Sequence, residues 1–144
     1  NILCKPGKLT DEEFAIMKSH PEKGEKILTG IKKLAIISNW LKTHHERWDG
    51  RGYPLGLKGE EIPFSSRIIA LADTYDAMTS TRSYRKALTH EIAISEIEKC
   101  AGTQFDPNLA KMFVEVQNEI LEAKNNPEEY YKKYSYIYKN SKFI

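Results

Sequence analysis

Residues 63–80 read PFSSRIIALADTYDAMTS. Proline carries a near-helical φ and has no N–H to lose, so Pro63 suits the start of a helix. Behind it Phe64, Ile68, Leu71, Ala72, Tyr75 and Thr79 recur every three or four residues and share one face. The spacing predicts a helix from Phe64 to about Ser80. Asp73 and Asp76 fall on its edge, among small and apolar neighbours. Burying Asp73 without a partner would be costly. It therefore reads either as a ligand for a cation or as the ion-pair partner of Arg67 or Arg82.

The flanking sequence repeats the helical theme. Thr10-Asp11-Glu12-Glu13 has the spacing of a capping box, in which Thr10 and Glu13 satisfy each other's backbone N–H. That helix should run to about His20, where Pro21 disfavours α geometry in the preceding residue and opens the next helix. Gly30 closes it. Ile31 to His45 has apolar residues at near-helical spacing and predicts a mostly buried helix ending in two histidines. Thr89 can cap a helix reaching about Ala101, before Gly102. Asp106-Pro107 is a cap followed by a first-position proline, predicting one helix to about Asn125. Pro127 begins a last, tyrosine-rich helix. No segment alternates with period two, so the chain is predicted to be all-α, a bundle of about six helices.

Composition narrows the function. At 144 residues, one core is expected. Hydrophobic residues make up 40% and charged ones 29%, the balance of a globular protein. The longest apolar run, residues 68–72, is far too short to span a bilayer. With 22 basic and 20 acidic residues the net charge is only +2, which argues against a general binder of nucleic acid. Cys4 and Cys100 are far apart and in no CxxC pattern, so they are expected to be reduced thiols of a cytoplasmic protein.

The chemistry concentrates between residues 44 and 61. His44-His45 directly precede a segment with glycines at 50, 52, 56 and 59, too many for a helix and typical of a long functional loop. Neutral imidazoles and carboxylates are the donors a divalent metal takes. On a helix, neighbours point about 100° apart, so His44 and His45 would serve two metals side by side, or a metal and a bound anion. Their alternative role is to meet the negative end of a helix dipole. His20, fixed by Pro21, and Asp73 complete the candidate metal set. Tyr53, between Gly52 and Pro54, is expected to be held out from the loop and to stack on a base. Arg82 and Arg85 offer planar, bidentate donors for phosphate. His90 is expected to be a surface residue outside any site. Together these residues suit phosphodiester hydrolysis, with metal activating water and arginines holding phosphate.

Three stretches carry a resemblance: HHERWDGRGYP at 44–54, IPFSSRIIALADTYDAMTSTRSYRKA at 62–87, and GTQFDP at 102–107. They closely resemble the bacterial HD-GYP domain, a subgroup of the HD metal-dependent phosphohydrolases. LCKPGKLTDEEFAIMKSHPEKGEKIL, at 3–28, is similar to the stretch that follows the family's HD motif. The resemblance covers roughly residues 1–115. It divides the chain into the C-terminal part of an HD-GYP domain, residues 1–125, and a tyrosine-rich helix or tail, residues 126–144.

The resemblance implies hydrolysis of the bacterial second messenger cyclic di-GMP to pGpG or GMP. It implies an all-α fold and a centre of two or three metals, commonly iron or manganese. His20, His44, His45 and Asp73 match metal ligands, and Tyr53 matches the tyrosine lining the substrate site. Arg82 and Arg85 match basic positions that contact the phosphates. Partners implied are cyclic di-GMP and, through the GYP loop, GGDEF-domain proteins. By the resemblance, the family's His-Asp pair, with its bridging Asp and catalytic Lys, should fall just before Ile2-Leu3-Cys4, so the catalytic residues are expected to lie outside these 144. Three imidazoles and one carboxylate are too few for two six-coordinate sites. The expectations are therefore weak or partial metal binding by this chain alone and little phosphodiesterase activity. The alternative is a non-catalytic module that binds the nucleotide or a GGDEF partner. Apolar faces left uncovered would favour a homodimer.

Overall fold

A computed structural model describes residue 5, residues 7–82 and residues 85–140. Cys4 and Pro6 lie outside the described residues, as do the side chains of Tyr136 and Tyr138. Among the described residues the fold is all-α, with eight helices and no strand. They are α1 (Asp11–Lys18), α2 (His20–Thr29), α3 (Ala35–Lys42), α4 (Phe64–Thr79), α5 (His90–Lys99), α6 (Pro107–Glu115), α7 (Gln117–Asn125) and α8 (Pro127–Asn140). No described helix is long and apolar enough to cross a membrane.

The caps fall where the sequence puts them. Thr10 and Glu13 form the reciprocal capping box of α1. Thr89 accepts from Ile92 N–H at the start of α5. Asp106 accepts from Asn108 and Leu109 N–H ahead of Pro107.

Four boundaries differ from expectation. α2 begins at His20, so Pro21 is its second residue rather than its first. The helix predicted over 107–125 breaks at Val116, which stands between α6 and α7. That break turns seven predicted helical segments into eight helices, against the six or so expected of the bundle. Residues Lys32–Leu34 form a 3-10 turn before α3. α3 itself stops at Lys42, with Thr43 in a non-helical conformation, so the histidine pair lies beyond the helix rather than on it.

The core sits where α4, α5 and α6 meet. Leu71 and Tyr75 of α4, Ala93, Ile94 and Ile97 of α5, Phe105 and Ala110 are buried together. Burying each large aliphatic side chain here contributes about 1.5–3 kcal/mol. α4 does not bury the whole stripe its sequence predicts. Ser66, Leu71 and Tyr75 are buried, whereas Phe64 and Ile68 remain 57% and 45% exposed. The other pole is the α1–α3 layer, joined to the core through α3 packed on α4. A buried hydrogen bond marks that junction. Thr43 donates its one hydroxyl hydrogen to Asn39 O at 2.8 Å, so Ser66 must donate to Thr43 Oγ1 across 2.8 Å.

His90 is not the isolated surface residue the sequence suggests. It is partly buried, with Nδ1 2.8 Å from the Tyr75 hydroxyl, because α5 packs its first turn against α4.

Candidate metal centre

Three imidazoles converge at the junction of α1, α2 and the segment after α3. His20, His44 and His45 each bring one ring nitrogen within 4.8 Å of the other two. The ring centroids of His44 and His45 are 3.9 Å apart. This is possible because Thr43 ends the helix: off the helical track, neighbouring side chains need not diverge by 100°. The two rings thus lie in one cluster with His20 instead of diverging as they would on a helix.

The backbone fixes two of the tautomers. His20 Nδ1 lies 2.8 Å from Met17 O, and His44 Nδ1 lies 2.6 Å from Leu41 O. A carbonyl only accepts, so each Nδ1 carries the hydrogen, and in the neutral ring that a metal takes Nε2 presents the lone pair. Such carbonyl contacts orient ligating histidines in metal sites. His20 Nε2 and His45 Nε2 are 3.1 Å apart. Two nitrogens bound at right angles to one ion would be about 3 Å apart, given metal–nitrogen bonds of about 2.1 Å. The donor set therefore fits a divalent cation. Burial, then His44 and His20, push His45 down to about 4, with Asp73 opposing.

The charge of Asp73 reaches this cluster, though its oxygens are not among the donor atoms within 4.8 Å of one another. Its charge acts on both His45 and Tyr53, yet it is exposed, contrary to the buried carboxylate the sequence suggests. Nor is Arg67 its partner. Arg67 Nη1 donates to Asp106 Oδ2 at 2.6 Å, a pair whose side chains are 15% and 5% exposed.

Tyr53 is half-buried rather than held out. Its ring stacks on His45 with centroids 4.9 Å apart and planes at 28°. Its N–H donates to His45 O at 3.3 Å, and the Tyr53–Pro54 peptide is cis. Burial, and secondarily Asp73, raise its phenol pKa. Gly52 makes this close return possible. A Cβ there would lie 2.4 Å from Arg47 N and 2.5 Å from Glu46 Cα.

The loop is also anchored outward. Trp48 N–H donates to Gln104 O and Asp49 N–H to Thr103 O. The Arg47 guanidinium, bonded to Asp49, holds that carboxyl down at about 2.

Arg82 and Arg85 are exposed beyond α4. They pair through their backbones, and Arg85 Nη2 donates to Ala77 O at 2.6 Å. Among the described residues neither has a hydrogen bond, ion pair or ring contact with the histidines. Sequence reading missed Glu46, a buried acid beside the histidines whose side chain meets loop amides nine to eleven residues on. An acidic side chain between a histidine and an arginine carries no spacing signal for such a contact.

An all-α core with a tautomer-fixed imidazole cluster defines a helical domain built to hold a divalent metal. Residues 1–109 match the HD domain family. The chain belongs to that family, in its HD-GYP branch. It is 44% identical over 128 residues to a cyclic di-GMP phosphodiesterase of Vibrio cholerae, covering 84% of this chain and 26% of that protein. It is 46% identical over 124 residues to a cyclic di-GMP phosphodiesterase of Thermotoga maritima, covering 85% of this chain and 34% of that one. The chain thus spans about a quarter to a third of the length of these relatives. A solved structure of a cyclic GMP-AMP specific phosphodiesterase of V. cholerae superposes with a TM-score of 0.58 at 27% identity, covering 79% of this chain and 25% of that one.

Proposed function

We propose that this domain is part of a metal-dependent phosphodiesterase that opens cyclic di-GMP to pGpG or on to GMP. The observation that carries the reading is the His20–His44–His45 cluster with Tyr53 stacked on it, in a chain so similar to enzymes of that name. His20, His44 and His45 hold the metal, iron or manganese, with Asp73 adding a carboxylate. The chemistry supplied by a divalent ion bound there is polarisation of a phosphoryl oxygen and activation of water. Tyr53 offers its ring to a base or ribose beside the cluster.

A cyclic dinucleotide has two phosphodiesters, which suits the separation of the arginines from the histidines. With one phosphate at the metal, the other lies along α4, where Thr79 is about 9 Å beyond Asp73. Arg82 and Arg85 are the phosphate donors at that end. The GYP loop, exposed at Arg51, Leu55 and Gly56, is the surface for a GGDEF partner, and the substrate brings with it a cytoplasmic location. Exposed Ile27, Ile31 and Ile36 favour a second copy of the chain as a further partner.

These residues supply four donors, fewer than two octahedral ions take. Turnover by the 144 residues alone is accordingly slow. A second substrate, cyclic GMP-AMP, is favoured by the named activity of the superposed structure. The test is incubation of manganese- or iron-loaded protein with each dinucleotide, following linear products by chromatography. The reading predicts slow, chelator-sensitive opening of cyclic di-GMP. Opening that persists without metal, or no binding of either dinucleotide, would overturn it. Rapid turnover would refute the donor count.

A further inference from the structure

Glu46 follows the histidine pair directly, yet its carboxylate has no place among the donors. It is 4% exposed and forms no ion pair among the described residues. A buried acid needs its oxygens met by donors. Here loop amides meet them. Oε1 accepts from Leu55 N–H at 2.6 Å and Gly56 N–H at 3.2 Å, and Oε2 accepts from Leu57 N–H at 3.0 Å. The same residue holds the loop's other side. Gly52 packs so closely on the Glu46 backbone that a Cβ would lie 2.5 Å from Glu46 Cα and 2.7 Å from its carbonyl carbon.

Tyr53 is therefore bracketed. The residue before it rests on the Glu46 main chain, and residues two to four positions after it hang from the Glu46 side chain. Between these attachments its ring meets His45, one bond along the chain from Glu46, at 4.9 Å. We infer that Glu46 is a positioning residue, which sets Tyr53 over the metal cluster and acts on the ligand only through Tyr53. The orientations of His20 and His44 are set elsewhere, by Met17 O and Leu41 O. Metal retention and Tyr53 placement should separate.

The inference rests on the proposed function only for what Tyr53 contacts, so its test reads both levels. Glu46→Ala and Glu46→Gln are compared with wild type by hydrogen exchange and the Tyr53–His45 ring contact in metal-free protein, by elemental analysis after manganese loading, and by titration of loaded protein with cyclic di-GMP. Glu46→Ala should speed exchange of the Leu55, Gly56 and Leu57 amides by about tenfold or more, the equivalent of one charged hydrogen bond. It should lose the ring contact, keep its manganese and bind cyclic di-GMP about tenfold more weakly. Glu46→Gln, which retains one oxygen for the two amides on Oε1, should fall between; it carries the comparison if the alanine variant does not fold.

Acting through Tyr53 also demands non-additivity. Glu46→Ala combined with Tyr53→Ala should bind no more weakly than Tyr53→Ala alone. Additive losses, unchanged exchange, or loss of manganese in the folded variants would overturn the inference. Failure of wild type to bind cyclic di-GMP would instead sink the proposed substrate, while exchange and the ring contact still decide the role of Glu46.

Discussion

Replacing Gly52 by alanine inserts a methyl where the loop folds back on the histidine segment. Its φ is not in the left-handed region, so the constraint is space, not conformation. The new Cβ would sit 2.4 Å from Arg47 N, 2.5 Å from Glu46 Cα and 2.7 Å from Glu46 C. Non-bonded carbon atoms settle at about 3.5–4.0 Å, so the loop has to withdraw by about 1 Å. All three obstacles are backbone, which no rotamer change removes. Overpacking of this kind costs about 1–3 kcal/mol. For a chain of this length each kcal/mol lowers Tm by about 3–4 °C, so the melting point should fall by about 3–12 °C. The Tyr53 N–H···O contact to His45, at 3.3 Å, and the ring stack should go with it. Calorimetry and the Tyr53–His45 ring contact by NMR measure both effects. Melting within about 1 °C of wild type, with the contact retained, would refute the steric account.

Gly24 makes the opposite prediction. It lies inside α2 with nothing within 4 Å of a Cβ, so Gly24→Ala should raise stability by about 0.5–1 kcal/mol, read by the same calorimetry. Asp106→Ala removes a helix cap and strands Arg67 in a largely buried pair, for a loss of about 3–5 kcal/mol in denaturant unfolding. Thr43→Val leaves the Ser66 hydroxyl without its acceptor and should cost about 1–3 kcal/mol, much of it recovered by adding Ser66→Ala. Lys124 holds the pKa of Asp76 below the ordinary carboxylate value, with Ser80 assisting. Because the folded value is depressed, that stabilisation is complete above the unfolded value and fades as pH falls through the folded one. Lys124→Ala should therefore destabilise at neutral pH and converge with wild type in acid.

The elements were legible where the chain marks its own ends. Thr10, Thr89 and Asp106-Pro107 announce helix starts through local hydrogen bonding, and the structure keeps them, whereas α2 starts at His20, one residue before Pro21. What local rules miss is set by distant contacts. The break at Val116 has no glycine or proline to signal it. The apolar residues of α4 give a clean face, but periodicity says nothing of which part meets α5, and Phe64 and Ile68 stay exposed. At the site, histidine identity was readable, whereas the short α3 that lets neighbouring rings converge was not. Asp73 looked buried because its neighbours in sequence are apolar, yet its helix turns it outward. Glu46 joins residues nine to eleven positions away through a loop, beyond any helical or strand period.

The central claim is that His20, His44 and His45 form one metal-holding cluster. Manganese content by elemental analysis, after loading and desalting, tests it in wild type against His20→Ala, His44→Ala and His45→Ala variants that retain their helical spectra. Metal retained by wild type and lost on each single substitution is the predicted result. Equal metal in wild type and in all three single variants would contradict it.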